Sequence, residues 1–274
     1  MVKFYYGNRP HWTNFWKTQM RVIDAITFGG EVDMLEGRLN TYYNDVDKFV
    51  IVEGNQMYAN QRKPYLFEEN AERFAPFMDK IVYEKIKSLS SDNAWENDWH
   101  QRSQLTGIVN KLGLDNDDIV LVLDTDEWYV FDQVKNITQM MSLDMNKMHM
   151  SLHWFHKIEK TGIVGKWREL KNVDLNKIRW HRYDFPTLTG GWHLTSMGDL
   201  DYLIRKVRGF AHQELVVEGV DAELEDCWTN GRDLYGNVFH EVDLHEAFYP
   251  AWIMERKFPE IWYRRRPEGS KYSA

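Results

Sequence analysis

A chain of 274 residues, 43% hydrophobic and 28% charged, is long enough to bury a real core and has the balance of a soluble globular protein. Its net charge of −8 argues against a broad basic face that wraps nucleic acid, and a single cysteine, Cys227, excludes an internal disulfide or a cysteine-based zinc cluster. No stretch approaches the roughly 18 apolar residues of a membrane span, and the N-terminus has no apolar run of signal-peptide length, so a cytoplasmic protein is expected. The 12 Trp, 14 Tyr and 14 Phe suit sugar or base stacking, and equally a core rich in rings.

Residues 1–21 are aromatic and polar without a clear period and read as an N-terminal arm. Residues 22–28 are the first strand, broken by Gly29-Gly30; Met34, Leu35, Leu39 and Tyr42 then recur at helical spacing over 32–43. A second strand at 48–53, ended by Gly54-Asn55, completes a β-α-β unit. Glu31 and Glu53 fall at the ends of these elements, where a ligand crevice is expected, though each also reads as a surface acid. Phe67, Phe74 and Phe77 mark a short helix within 63–77, and 80–84 is a third strand. Ser91-Asp92-Asn93 signals a helix start, and the helix over 94–112 stops at Gly113. Arg102, in its middle, can reach a phosphate or simply join an ion pair on a solvated face.

Ile119 to Leu123 run as five apolar residues and end on Asp124-Thr125-Asp126-Glu127. So short and apolar a run is a central strand buried on both faces, and open α/β sheets bind ligands at such carboxyl ends. Asp124 and Asp126, spaced Asp-x-Asp, can share one divalent cation, because hard cations prefer carboxylate oxygens. A cation so held would neutralise a departing diphosphate; a polar turn or a helix cap explains the same acids. The alternation of strand and helix to this point is that of a parallel-sheet α/β fold.

Beyond Asp126 the pattern changes. Residues 131–141 read as a short helix, 148–155 as an alternating strand, and 162–167 and 178–183 as further antiparallel strands. Thr189-Gly190-Gly191-Trp192-His193 reads as a loop whose glycines let backbone approach a ligand closely. Residues 199–207 read as a helix with Leu200, Leu203, Ile204 and Val207 inward, and 222–228 as an acidic helix. There is no repeat and no flexible linker, so residues 1–274 form a single domain, with a nucleotide-type half at 22–130 and a mixed half and tail at 131–274.

Four blocks in order resemble glycosyltransferase family 17: residues 24–39, with Glu31 and the Arg38-Leu39 pair; residues 46–53; Asp124-Thr125-Asp126-Glu127; and Gly190-Gly191-Trp192-His193. The resemblance covers about residues 22–215, and the tail after about 220 and the animal members' membrane anchor have no counterpart in it. It implies an α/β fold of GT-A type, a Rossmann-like, mostly parallel central sheet with a mixed acceptor-side half. It also implies inverting transfer of N-acetylglucosamine or a related hexose from a UDP-sugar to a hydroxyl of a glycan or other small acceptor.

For the site, the resemblance implies Mn2+ or Mg2+, with Asp126 as first ligand, Asp124 on the ribose or on the metal through water, and His212 as third ligand; a histidine favours Mn2+. His212 reads equally as a core or surface histidine. Asp24, Glu31, Arg38 and Glu53 carry over as donor-side residues, joined by Arg102 and Asp124, although Arg38 can instead hold the Glu31 loop by an ion pair. Asp199 is the candidate base and also a candidate helix cap, with Glu214 and Glu127 as rivals. Trp192, with His193 beside it, offers a platform for a sugar, worth about 1 kcal/mol beyond burial.

Three other readings compete. A phosphohydrolase of the haloacid dehalogenase type also sets Asp-x-Asp after an apolar strand, but wants Thr or Val where this chain has Trp128, and wants that strand near the N-terminus. An aromatic-rich carbohydrate-binding protein without catalysis has no use for the intact acid pair or for His193 and His212. A transferase acting on a modified nucleobase in DNA is disfavoured by the acidic charge and kept open by Arg264-Arg265-Arg266 and Lys271. No feature specifies an oligomer.

Overall fold

A computed structural model describes residues 20–87, 91–245, 249–270 and 272. The expected N-terminal arm lies outside the described residues except for Met20 and Arg21. The first half follows the expected alternation: β1 (Val22–Phe28), α1 (Val32–Tyr42), β2 (Lys48–Gly54), two helical turns α2 (Leu66–Glu69) and α3 (Ala71–Phe74), β3 (Ile81–Ile86), α4 (Ala94–Asn110) and β4 (Ile119–Asp124). Every residue of β1 is buried. Ile23 and Ala25 pack with Val50, Val52 and Leu105 on the α4 side. Ile26 and Phe28 pack with Leu35, Leu39 and Phe49 on the other, the two-residue alternation of a strand covered on both faces. The helix-start signal before α4 is realised as an N-cap, the Asn93 side chain accepting from the Trp95 amide at 3.0 Å.

The second half comprises β5 (Glu127–Trp128), α5 (Phe131–Val134), β6 (Met141–His149), β7 (Trp154–Lys166), α6 (Trp167–Leu170), α7 (Leu175–Trp180), β8 (Thr187–Thr195), α8 (Leu200–Gly209), α9 (Val220–Asn230), β9 (His240–Glu241) and α10 (Ala251–Met254). All strands of the described residues join one sheet in the order β3-β2-β1-β4-β7-β6-β8-β5, with β9 paired to β7. β3, β2, β1 and β4 are mutually parallel, and β4–β7, β7–β6 and β8–β5 are antiparallel. This is the α/β, GT-A type architecture the sequence implies, built on one mixed sheet.

Four expected elements need correction. The helix over 131–141 ends at Val134, because from Met141 buried Leu143 and Met145 alternate with less buried neighbours and the chain enters β6. The strand over 148–155 is divided between β6 and β7 by a turn at which Met150 adopts φ 63°. Residues 178–183 are not a strand: the Asp174 carboxylate caps α7, accepting from the Lys177 amide at 2.9 Å, and the cap outweighs the local β pattern. Residues 189–193 are not a loop but part of β8, where Gly191 at φ 99° lies so near β5 that a Cβ would sit 2.3 Å from the Trp128 carbonyl oxygen. The glycine's close approach is to protein backbone. No helix among the described residues is long and apolar enough to cross a membrane.

Candidate active site

Strand order reverses between β1 and β4, which are neighbours in register Thr27 to Asp124. Such a switch point opens a crevice at the carboxyl ends of the strands. The acids around it fall into two groups.

The first group is closed. Asp24 and Arg38 form a fully buried bidentate pair, Nε to Oδ2 at 2.9 Å and Nη2 to Oδ1 at 2.8 Å. The remaining Arg38 nitrogen, Nη1, donates to the Glu127 carbonyl, and the guanidinium lies 5.4 Å from the centre of the Tyr129 ring. Arg38 therefore ties α1 to the acidic turn, and its partner is Asp24 rather than the Glu31 loop. Asp124 Oδ1 accepts from Thr27 Oγ1 at 2.5 Å and Arg102 Nη2 at 2.9 Å, while Oδ2 accepts from Arg179 Nη2 at 2.8 Å. Burial alone would raise the Asp124 pKa; the Arg102 and Arg179 charges and the Thr27 bond outweigh it and hold the carboxyl well below the usual range. Glu127 is spent on Arg179, at 2.7 and 2.8 Å, and on the Asp124 amide at 2.9 Å. Arg102 also pairs with Asp98 at 3.0 Å, so its donors face protein carboxylates. Glu53, fully buried, takes Lys63 at 2.6 Å, the Leu66 and Phe67 amides at 2.7 and 3.1 Å, and the Tyr83 hydroxyl at 2.8 Å. It fastens α2 to the sheet.

The second group is looser. Asp126 Oδ2 stands 3.5 Å from Lys206 Nζ and 3.7 Å from His193 Nε2. Lys206, on α8, also stands 3.6 Å from Glu31 Oε1, so one ammonium faces acids from the ends of both switch-point strands. His193 Nδ1 lies 2.9 Å from Glu159 Oε2, which Lys147 approaches at 3.1 Å. Burial pushes the His193 pKa down, but the Asp126 charge and the Glu159 hydrogen bond more than reverse that and raise it. Asp124 and Asp126 are two residues apart in sequence and opposites in chemistry: both oxygens of Asp124 are engaged at hydrogen-bond distance, while Asp126 meets its cations at 3.5 Å and beyond.

Beside Glu31 lies a cavity of about 270 Å³, lined by Glu31, Asp33, Asp199, Tyr202, Arg205 and Trp262 among others. Asp199 Oδ1 caps α8 by accepting from the Tyr202 amide at 2.7 Å. The expected cap is observed; it uses one oxygen, and the residue also lines the cavity. Asp33 is paired to Arg73 at 2.6 Å.

Other expected residues stand elsewhere. His212 Nδ1 contacts Glu214 Oε1 at 2.6 Å, both side chains well exposed, and the His212 ring stands edge-on to Trp95. Trp192 is 9% exposed and stacks on Tyr249 in the core, so it is no open platform. Among the described residues, the tryptophan rings that do face outward are Trp99 and Trp180, 38% and 46% exposed, in edge contact at 5.4 Å. Two of the basic cluster turn inward, Arg264 lying 3.8 Å from the centre of the Trp228 ring and Arg266 donating to the Asn230 and Phe239 carbonyls, while exposed Arg265 pairs with Glu241.

A divalent cation shared by Asp124, Asp126 and His212 does not fit this arrangement. Asp124 has both oxygens engaged by Thr27 and two arginines, His212 is paired with Glu214, and no group of three His, Cys, Asp or Glu side chains among the described residues converges to hold a metal. The residues the sequence does not flag are Lys206, Arg179, Glu159 and Lys147. Lys206 alone had a local signal, lying between Leu203 and Val207 on the face of α8 that packs inward.

A mixed sheet with a crevice at the β1–β4 switch point defines the class of fold, α/β of GT-A type. The model of glycosyltransferase family 17 matches residues 8–246, and the chain belongs to that family. The match runs past both ends of the stretch where the resemblance is legible and takes in α9 and β9 of the tail. A search of curated proteins finds no match. Among solved structures, glucosyl-3-phosphoglycerate synthase from Mycobacterium tuberculosis, in complex with Mn2+, UDP-glucose and phosphoglyceric acid, is 12% identical over 90% of this chain and 97% of that one, with a TM-score of 0.32. A likeness that loose says nothing about the ligands of this chain.

Proposed function

We propose that this glycosyltransferase moves a hexose-type sugar, N-acetylglucosamine or a relative, from a UDP-sugar to an acceptor hydroxyl with inversion, and that Asp199 is the base. The observation that carries this reading is the cavity of about 270 Å³ that shares Glu31 with the Asp126 group and is lined by Asp199 and Tyr202. Rings and carboxylates together suit a sugar, whose faces stack and whose hydroxyls donate. In the transfer the acceptor oxygen attacks C1 of the donor sugar and passes its proton to Asp199. The bond from C1 to the β-phosphate oxygen breaks, and the electron pair leaves with the diphosphate. Asp24, Arg38, Arg102, Asp124 and Glu53 act on the donor side by shaping the crevice, and His193 by its charge beside Asp126.

Asp199→Asn tests the base, because Asn caps a helix as well as Asp does. Turnover with a panel of UDP-sugars, UDP-N-acetylglucosamine first, should fall about 100-fold or more while UDP binding and the melting temperature stay near wild type. Retained turnover in the variant removes Asp199 from the reaction. Sugar binding by wild type with no turnover of any nucleotide-sugar would instead support the non-catalytic binding protein, a reading the exposed Trp99 and Trp180 rings favour.

A further inference from the structure

We infer that Lys206 is the cation of the donor site: its ammonium, seated between Glu31 and Asp126, faces the departing diphosphate at the place where the Asp-x-Asp spacing suggests a divalent metal. The inference rests on the sugar-transfer reading above and names the group that receives the leaving charge.

Position comes first. Glu31 follows β1 and Asp126 follows β4, so an ammonium 3.6 Å from one and 3.5 Å from the other straddles the switch-point crevice. Open α/β sheets receive their ligands there. Availability comes next. Charge-assisted N–H···O bonds close to about 2.7–2.9 Å, so Lys206 is in the field of both acids without its three donors being drawn tightly to either. Its side chain keeps 19% exposure, and Tyr202, one turn earlier on α8, engages one of its donors through the hydroxyl.

Arg205, which lines the adjoining cavity, apart, the other cations near the crevice are committed. Arg38 is locked to Asp24, and Arg102 and Arg179 to Asp124, all at 2.7–3.0 Å with their partners. Lys147 is 3.1 Å from Glu159.

Chemistry completes the case. A metal needs several oxygen or nitrogen donors free of other cations, and the first acid of the motif's pair, Asp124, is not free. Asp126 and Glu31 are instead arranged around one protonated amine. When the bond from the sugar to the β-phosphate breaks, the electron pair stays on the phosphate oxygen, and an N–H of Lys206 donates to it. No bond to Lys206 forms.

The test is calorimetric titration of UDP into the full chain, in EDTA and then in Mn2+, for wild type, Lys206→Met and Lys206→Arg. Binding of Mn2+ alone is followed in parallel by the electron paramagnetic resonance of the free ion. Wild type should bind UDP equally well in EDTA and in Mn2+. Lys206→Met should lose about tenfold or more in affinity in EDTA, the loss expected of one charged hydrogen bond, and Lys206→Arg should recover part of it. Mn2+ alone should bind Lys206→Met more tightly than wild type, because Glu31 and Asp126 are released. The inference is overturned if wild type binds UDP only with Mn2+ and Lys206→Met binds it equally well. The wild-type Mn2+ titration decides the point even should Lys206→Met fail to fold: stoichiometric uptake of the ion by wild type also overturns it. Absence of UDP binding and of transfer under both conditions sinks the sugar-transfer reading itself, and the inference with it.

Discussion

The two sides of the acidic turn use the same residue types for opposite ends. On the parallel side, Asp24 and Asp124 meet arginines at 2.8–2.9 Å, with Asp24 fully buried. On the mixed side, Asp126 meets a lysine and a histidine at 3.5 and 3.7 Å, at the edge of an open crevice. Arginine's planar fork fixes a carboxylate in two places at once, whereas an ammonium is a point charge on a flexible stem that can be shared with a ligand. Position in a motif therefore does not fix the role of an acid. What fixes it is the geometry and number of its cationic partners.

The contrast can be broken at its closed end first. Asp24→Ala leaves the Arg38 guanidinium buried without its carboxylate, and an unpaired buried charge costs about 3–5 kcal/mol. The urea midpoint should fall accordingly; a midpoint equal to that of wild type would show that the pair contributes nothing to the fold.

A smaller effect is expected on the open side, and it depends on pH. The His193 pKa is raised in the folded state, so its contribution to stability is fully present below the unfolded value of about 6.5 and is lost as pH rises through the folded value. Glu159 is shifted the other way. Burial would raise it, but the hydrogen bond and charge of His193, with Lys147, hold it well below the usual carboxylate range. Its contribution is present above the unfolded value of about 4.3 and is lost as pH falls through the folded one. Glu159→Gln should thus cost most between those two unfolded values, on the order of 1.5 kcal/mol, and less in alkali. Urea denaturation at pH 5.5 and pH 9 reads the difference, and a cost that does not vary with pH would uncouple the pair.

Least of all is expected from Trp180→Ala, which removes an exposed ring and should change stability by no more than about 0.5 kcal/mol. A larger fall in melting temperature would assign that ring to the core.

The first half of the fold was legible because β1, β2 and β4 are short apolar runs, buried along nearly their whole length and stopped by Gly, Asn or acids. In the second half, local signals competed. Gly190-Gly191 suggests a loop, yet the second glycine is there to let β8 lie against β5. The alternation over 148–155 is real but belongs to two strands. In the site, the acids were visible as a motif, and their partners were not. Arg179 is 55 residues from Asp124, and Lys206 arrives on a helix that the sequence marks only by its apolar face. Long cationic side chains reach many acids, so which one they meet is decided by tertiary packing.

The clamp on Asp124 also bears on how the crevice comes into being. Its three partners lie 97, 22 and 55 residues away along the chain, so the ring of contacts closes only when β1, α4 and α7 have all reached the end of β4. Until α7 docks, Asp124 and Glu127 are two like charges side by side, bound for a dry interior with too few counterions. The crevice is thus assembled from parts far apart in the chain, and its clamp is complete only where β1, α4 and α7 meet the end of β4.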